Sequence, residues 1–294
     1  MTHAKKELPE CTIGRTGRDL FSSRKELTVI LIPYERFSPF AEAVDDLYKT
    51  MDVPFNLIVV EGNAPESVRS SLEKRQKKHK NLTIIYSERQ VSMGAAINLA
   101  APHLKTKYAF IMDNDVRLSA GTMGRLLQYS KNNDCGIVYP QNDALLPGHS
   151  ENSKKDRRIA RFGIRICLLI AQEALGKMGK LNENVTPFTA GIDIRITAEE
   201  SGIRIGREIS ARVKLDNLSP LWPMDAVLHS FQWDKTRIQD SFRCLKEKWG
   251  ICLPEENYAG WIERKRRDLA DSKNILFFLA SLAPKFKFWS TEKV

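Results

Sequence analysis

The chain has no long hydrophobic run: none of its apolar stretches approaches the ~20 residues that a bilayer-crossing helix needs. This disfavours an integral membrane protein. Cysteine is sparse, with five residues at Cys11, Cys135, Cys167, Cys244 and Cys252 and no pair spaced as a metal knuckle or redox motif. An odd, scattered set with no such spacing reads as reduced thiols. The opening residues, Met-Thr-His-Ala-Lys-Lys-Glu-Leu, lack the apolar core of a secretory signal. The expected location is therefore cytoplasmic. Internal repeats and low-complexity tracts are missing too.

What is present is ordinary for a folded globular chain: 294 residues, 42% hydrophobic and 28% charged. The net charge is +10. Positive residues gather at Lys154, Lys155, Arg157, Arg158, Arg161 and Arg165, and again at Arg264–Arg267 with Lys285 and Lys287 beyond. Such clusters suit nucleic acid, anionic lipid or a phosphorylated substrate, or form a solvated helix face.

Residues 1–25 are polar and aperiodic and are expected to form an arm. A regular alternation follows. Apolar, strand-length runs occupy Leu27–Ile32, Leu57–Val60, Leu82–Tyr86, Tyr108–Met112 and Gly136–Tyr139. Helical patterns lie between them: Phe40, Val44 and Leu47 at helical spacing, a charged helix over 65–79, an alanine-rich one over 93–104 and an amphipathic one over 119–131. Continuous apolar strands alternating with helices indicate an α/β fold with a mostly parallel sheet covered on both faces. Ligands in such sheets bind outside the C-terminal strand ends. Pro33-Tyr34, Glu61-Gly62-Asn63 and Asp113-Asn114-Asp115 stand there. Beyond residue 140 the pattern loosens: a polar loop over 141–158, a helix over 159–175, an alternating strand over 203–215, and helices near 236–249 and 258–282.

The Asp113-Asn114-Asp115 step carries the most chemistry. In extended backbone, residues i and i+2 share a face, so the two carboxylates can converge on one point. Close carboxylates repel unless a cation lies between them. A hard divalent ion shared with substrate phosphates is the expected occupant, against the plainer reading of an Asp- and Asn-rich turn.

Taken in order, Leu27–Pro33, Ile58–Asn63, the Gly94-Ala95-Ala96-Ile97-Asn98 helix start and Asp113-Asn114-Asp115 resemble the family 2 glycosyltransferases of GT-A fold over roughly residues 27–139. The resemblance implies a nucleotide-sugar-binding half over 26–140, an acceptor-side half over 141–235 and a helical C-terminal extension over 236–294. It further implies an inverting transferase with a nucleotide-sugar donor, a saccharide or lipid-linked acceptor, and Mg²⁺ or Mn²⁺ on Asp113 and Asp115. Pro33, Tyr34, Glu61, Met93, Gly94, Asn98, Asp113 and Asn114 would then contact the donor. Tyr34 would offer a stacking face, Glu61 would accept from base or ribose, and Gly94 would let backbone approach the ligand. A role in polysaccharide biosynthesis would follow.

The resemblance departs at the base. The family's Glu-Asp pair falls on Ala190-Gly191 when its following glycine is aligned with Gly202. Asp193 then becomes the expected base, with Glu199 or Glu200 in a shifted register and helix capping as the plainer role for Asp193. His229 follows Ala226-Val227-Leu228, where related enzymes place a metal- or diphosphate-reaching histidine after a late strand. Ser241–Gly250 resembles a C-terminal helix of bacterial members. Ile275–Trp289, with Lys285 and Lys287, could lie on an anionic membrane surface or equally dock onto the core. Three other functions stay open: a sugar nucleotidyltransferase, which would want a Gly-rich loop where Pro33-Tyr34-Glu35-Arg36 stands; a donor-binding scaffold that has lost its base; and, least favoured, a nucleic-acid binder.

Overall fold

The structure is a computed structural model and describes residues 25–142, 167–187, 189–216, 221–252, 259–260 and 262–270. The N-terminal arm, the basic cluster from Lys154 to Arg165 and the Ile275–Trp289 segment lie outside the described residues.

Eight strands form one sheet: β1 (Leu27–Ile32), β2 (Phe55–Val60), β3 (Leu82–Ile85), β4 (Tyr108–Asp113), β5 (Val116–Leu118), β6 (Ile137–Asn142), β7 (Cys167–Ala171) and β8 (Ile205–Leu215). Their order is β3-β2-β1-β4-β7-β6-β8-β5. The strands β3, β2, β1 and β4 run parallel, each buried along its whole length, as the continuous apolar runs require. β7 is antiparallel to both β4 and β6. β6 and β8 are parallel, and short β5 closes antiparallel on β8. Only β5 and β7 therefore oppose the common direction.

β7 corrects the helix expected over 159–175. Cys167, Leu168, Leu169 and Ile170 form a short run buried on both faces, and the slot between β4 and β6 takes it as a strand. The helix starts only afterwards.

Helices cover both faces. On one lie α1 (Phe40–Thr50), α2 (Glu66–Lys78) and α4 (Thr122–Asn133); Leu27, Val29 and Leu31 pack with Phe40, Val44, Leu72 and Leu126. On the other lie α3 (Met93–Ala100), α5 (Gln172–Met178) and α6 (Ala190–Glu200); Ile30 and Ile32 pack with Ile97, Leu175 and Ile194. Each fully buried side chain of this size contributes about 1.5–3 kcal/mol. A satellite core joins Ile192 of α6 to Trp233, to Ile238, Phe242 and Leu245 of α8 (Lys235–Trp249), and to Ile262 of the last helical stretch, α9 (262–270). The short α7 (Ala226–Gln232) precedes α8. No helix among the described residues is long and apolar enough to cross a membrane.

Candidate functional site

A narrow crevice of about 10 Å³, room for one water molecule, lies where the C-terminal ends of β1 and β4 meet the segment before α6. Ile32, Pro33, Tyr34, Met93, Asp113, Val185, Thr186, Pro187 and Gln232 line it. The parallel pairing of β1 with β4 sets Ile32 opposite Asp113, so the sheet itself puts an apolar strand end and a carboxylate side by side.

Asp113 is 0% exposed and Asp115 6% exposed. Two carboxylates two residues apart at the end of one strand suit a hard divalent cation. Among the described residues no three His, Cys, Asp or Glu side chains form a ready metal group. Asp113, Asp115 and His229 are thus not a three-ligand set. A donor set of two carboxylates suits Mg²⁺ or Mn²⁺ that takes its remaining ligands from substrate phosphates and water.

Asn114, between them, is spent on the backbone. Its Oδ1 accepts from the Tyr34 N–H at 3.2 Å, and its Nδ2 donates to the Arg36 carbonyl at 2.7 Å. It therefore fixes the loop after β1, which carries Pro33 and Tyr34 into the crevice wall. Tyr34 is itself buried, so any stacking face it offers is inside the crevice.

Glu61 has no exposed surface. Its Oε1 accepts from the backbone N–H groups of Asn63 (3.0 Å) and Ser87 (2.9 Å) and from Arg69 (3.1 Å). Its Oε2 accepts from the Ala64 N–H and from Arg69 Nε. These donors fill the lone-pair sites of a carboxylate, so Glu61 organises the loop after β2 where a ligand contact was expected. Gly62 and Asn63 both have left-handed backbone, at φ 69° and 60°, the tight turn that aims the Asn63 and Ala64 N–H groups at the carboxylate.

Gly94 and Asn98 also meet protein. A Cβ on Gly94 would lie 2.0 Å from the Asn182 carbonyl oxygen. The glycine is thus explained by the 179–187 loop packed on α3. Asn98 donates to the Leu181 carbonyl (2.9 Å) and accepts from the Leu181 N–H (2.9 Å), holding the same loop. That loop continues into Val185–Pro187 of the crevice, so both residues shape the site from behind. Ser92 caps α3 by accepting from Ala95.

Asp193 stands in the first turn of α6, 2% exposed. Its Oδ1 accepts from Lys248 Nζ (2.9 Å) and Trp249 Nε1 (2.8 Å). Thr186, at the crevice, bonds Ser241 of α8 at 2.9 Å. Ser241 and Lys248 are two turns apart on one helix, about 10 Å, so the clamp on Asp193 sits that far along α8 from the crevice contact. Glu199 and Glu200 lie farther along still, at the C-terminal end of α6, where Glu199 pairs with Arg195.

His229 lies within α7, whereas the sequence suggested the end of a strand. It is 1% exposed, and burial lowers its pKa to about 4 despite the attraction of Glu35. Its Nδ1 is buried with no hydrogen-bond partner. Around it, Lys265 of α9 pairs with Glu35 at 2.7 Å and lies 5.2 Å from the Trp233 ring.

Asp225, just before α7, escaped the sequence reading. It accepts from the Phe37 and Ser38 N–H groups (2.8 Å each), from Ser38 Oγ (2.9 Å) and from the Trp222 N–H (2.9 Å). This ties the start of α1 to the start of α7. An acidic residue between Pro223 and the apolar 226–228 run is a helix-start signal.

Known proteins place this arrangement. The family model described as Glycosyl transferase family 2 matches residues 28–188, more than half of the chain. The bifunctional protein GlmU of Francisella tularensis subsp. novicida is 31% identical over 86 residues, which is 29% of this chain and only 18% of that protein. Among solved structures, the mannosyltransferase PcManGT from Pyrobaculum calidifontis, in complex with GDP-Man and Mn²⁺, aligns over 92% of this chain and 77% of its own at 17% identity, TM-score 0.56. TarS 1–349 of S. aureus, in complex with UDP-GlcNAc, aligns over 90% and 76% at 14% identity, TM-score 0.59. At these identities the structural likeness is one of fold, and the fold is GT-A. The chain belongs to glycosyl transferase family 2.

Proposed function

We propose that this chain transfers a sugar from a nucleoside-diphosphate donor to a saccharide or lipid-linked acceptor, with inversion. The buried Asp113–Asp115 pair at the end of β4, beside a crevice walled by the loop after β1, carries the reading. Tyr34, Pro33 and Met93 would contain the donor, and Asp113 and Asp115 would hold Mg²⁺ or Mn²⁺. There the ion would supply Lewis-acid stabilisation of the charge on the departing diphosphate. The acceptor hydroxyl attacks the anomeric carbon as the bond to the diphosphate breaks, and a carboxylate takes the hydroxyl proton. Of the expected bases, Asp193 lies nearer the crevice end of α6 than Glu199 or Glu200, with its Oδ2 as the oxygen to receive the proton. The PcManGT and TarS complexes, with GDP-Man and UDP-GlcNAc, support a nucleotide-sugar donor. The site would work in the cytoplasm, with the segment beyond α9 as its contact to an anionic membrane face.

Donor-dependent release of nucleoside diphosphate tests this. Asp115→Ala should abolish it while circular dichroism stays native. Full activity in a folded Asp115→Ala protein would refute the metal assignment.

One observation favours a second reading, a donor-binding protein without turnover: the hold of Lys248 and Trp249 on Asp193. That protein would bind nucleoside diphosphate with metal and release none from any donor.

A further inference from the structure

Arg117, two residues beyond Asp115, has contacts on every arm of its guanidinium. Its Nη1 donates to the carbonyls of Asn114 (3.0 Å) and Val116 (3.2 Å), which flank Asp115. Its Nε pairs with Asp46 of α1 at 2.8 Å, and its Nη2 with Asp216, after β8, at 2.8 Å. Its side chain is largely buried. The backbone of the turn is pinned at further points: the Asn114 N–H donates to the Ile32 carbonyl (3.0 Å), and the Asp115 carbonyl accepts from the Asp216 N–H (2.8 Å).

These contacts have one mechanical consequence. Two adjacent carboxylates in a buried turn repel, and a free turn would swing one of them outward to water. Here the carbonyls before and after Asp115 are gripped by one rigid, planar fork, and that fork is braced by two acids from separate elements. The turn therefore cannot open without breaking the brace.

We propose that Arg117 is a positioning residue that holds the Asp113–Asp115 turn closed for cation binding, with Asp46 and Asp216 as its anchors. The proposal rests on the reading of that pair as the metal-binding carboxylates. Positioning and charge predict opposite signs. Arg117 is a cation close to a cation site, so by electrostatics alone its removal should tighten metal binding. If it positions the turn, its removal should weaken binding.

The test is Mn²⁺ titration of the full chain with UDP or GDP present, read by the electron paramagnetic resonance signal of free Mn²⁺. Arg117→Met should bind Mn²⁺ about 10-fold or more weakly, the range typical of lost ligand-supporting contacts. Arg117→Lys keeps the charge but cannot hold the two carbonyls while reaching both Asp46 and Asp216, so it should weaken binding similarly; it also stands in if Arg117→Met does not fold. Thermal midpoints run in parallel separate global damage from loss of the site. Unchanged or tighter Mn²⁺ binding in either folded variant would overturn the role of Arg117 alone. A wild-type chain that binds no Mn²⁺ with either nucleotide would overturn the metal reading and this proposal together. Loss of binding in Asp115→Ala, alongside intact wild-type binding, keeps the two claims distinct.

Discussion

At the scale of single residues, the site is built mostly of side chains that bond to backbone. Glu61 satisfies three N–H groups and Arg69 at once. Replacing it with alanine strands those donors and should cost on the order of 3 kcal/mol, measurable as a lower urea midpoint. A midpoint near wild type would mean that Glu61 has no structural part. His229 makes a pH prediction. Its folded pKa, about 4, lies below the ordinary 6.5, so the unfolded chain takes up the proton first as pH falls. Its neutral form thus contributes stability that is full above about pH 6.5 and is lost progressively toward pH 4, up to about 3 kcal/mol. The stability gap between wild type and His229→Phe should shift against wild type across that window and stay flat from pH 7 to 8. A flat difference throughout would contradict the burial of a neutral imidazole. The motif at Asp113–Asp115 was legible because a strand's apolar run ends abruptly on it. The saturation of Asn98 was not, because Leu181 lies on a loop distant in sequence; that of Glu61 was not, because the left-handed turn at Gly62-Asn63 and the approach of Ser87 after β3 are what aim the donors at it.

At the scale of elements, loops are seated on helix starts. Gly94 lets the Asn182 carbonyl rest against α3. Gly94→Ala should push the 179–187 loop off α3, destabilise by about 1–3 kcal/mol and blunt any nucleotide-induced thermal shift, since Val185–Pro187 line the crevice. A fully stable Gly94→Ala chain with an intact shift would contradict that coupling. The α6–α8 clamp gives a sharper test. Asp193→Asn keeps an acceptor for Trp249 while removing the basic oxygen. Loss of the Lys248 ion pair should lower stability in either case, but if Asp193 is the base, transfer should also fall by several orders of magnitude. If it is only a clamp, stability should fall and transfer should largely persist. Strands β1, β2 and β4 were readable as unbroken apolar runs. β7 was not, because four apolar residues fit a helix or a strand equally well and only the slot between β4 and β6 decides. β8 was readable from its alternation, since only one of its faces packs.

At the scale of the molecule, the parallel half of the sheet brings the loop after β1 and the acid pair after β4 to one edge. The antiparallel insertion of β7 then allows β6 and β8 to extend the sheet beyond it. Helices α7, α8 and α9 join the same end through Asp225, Thr186–Ser241 and Glu35–Lys265. The C-terminal region therefore braces the crevice, a part that the sequence suggested only as separate helical patterns. The central claim is a metal-dependent nucleoside-diphosphate site on Asp113 and Asp115. Thermal denaturation against a panel of nucleoside diphosphates, with Mn²⁺ and then with chelator, tests it most directly. One nucleotide should raise the midpoint only with Mn²⁺, and Asp115→Ala should abolish the rise. No rise with any nucleotide, or a rise that survives both chelator and Asp115→Ala, would contradict it.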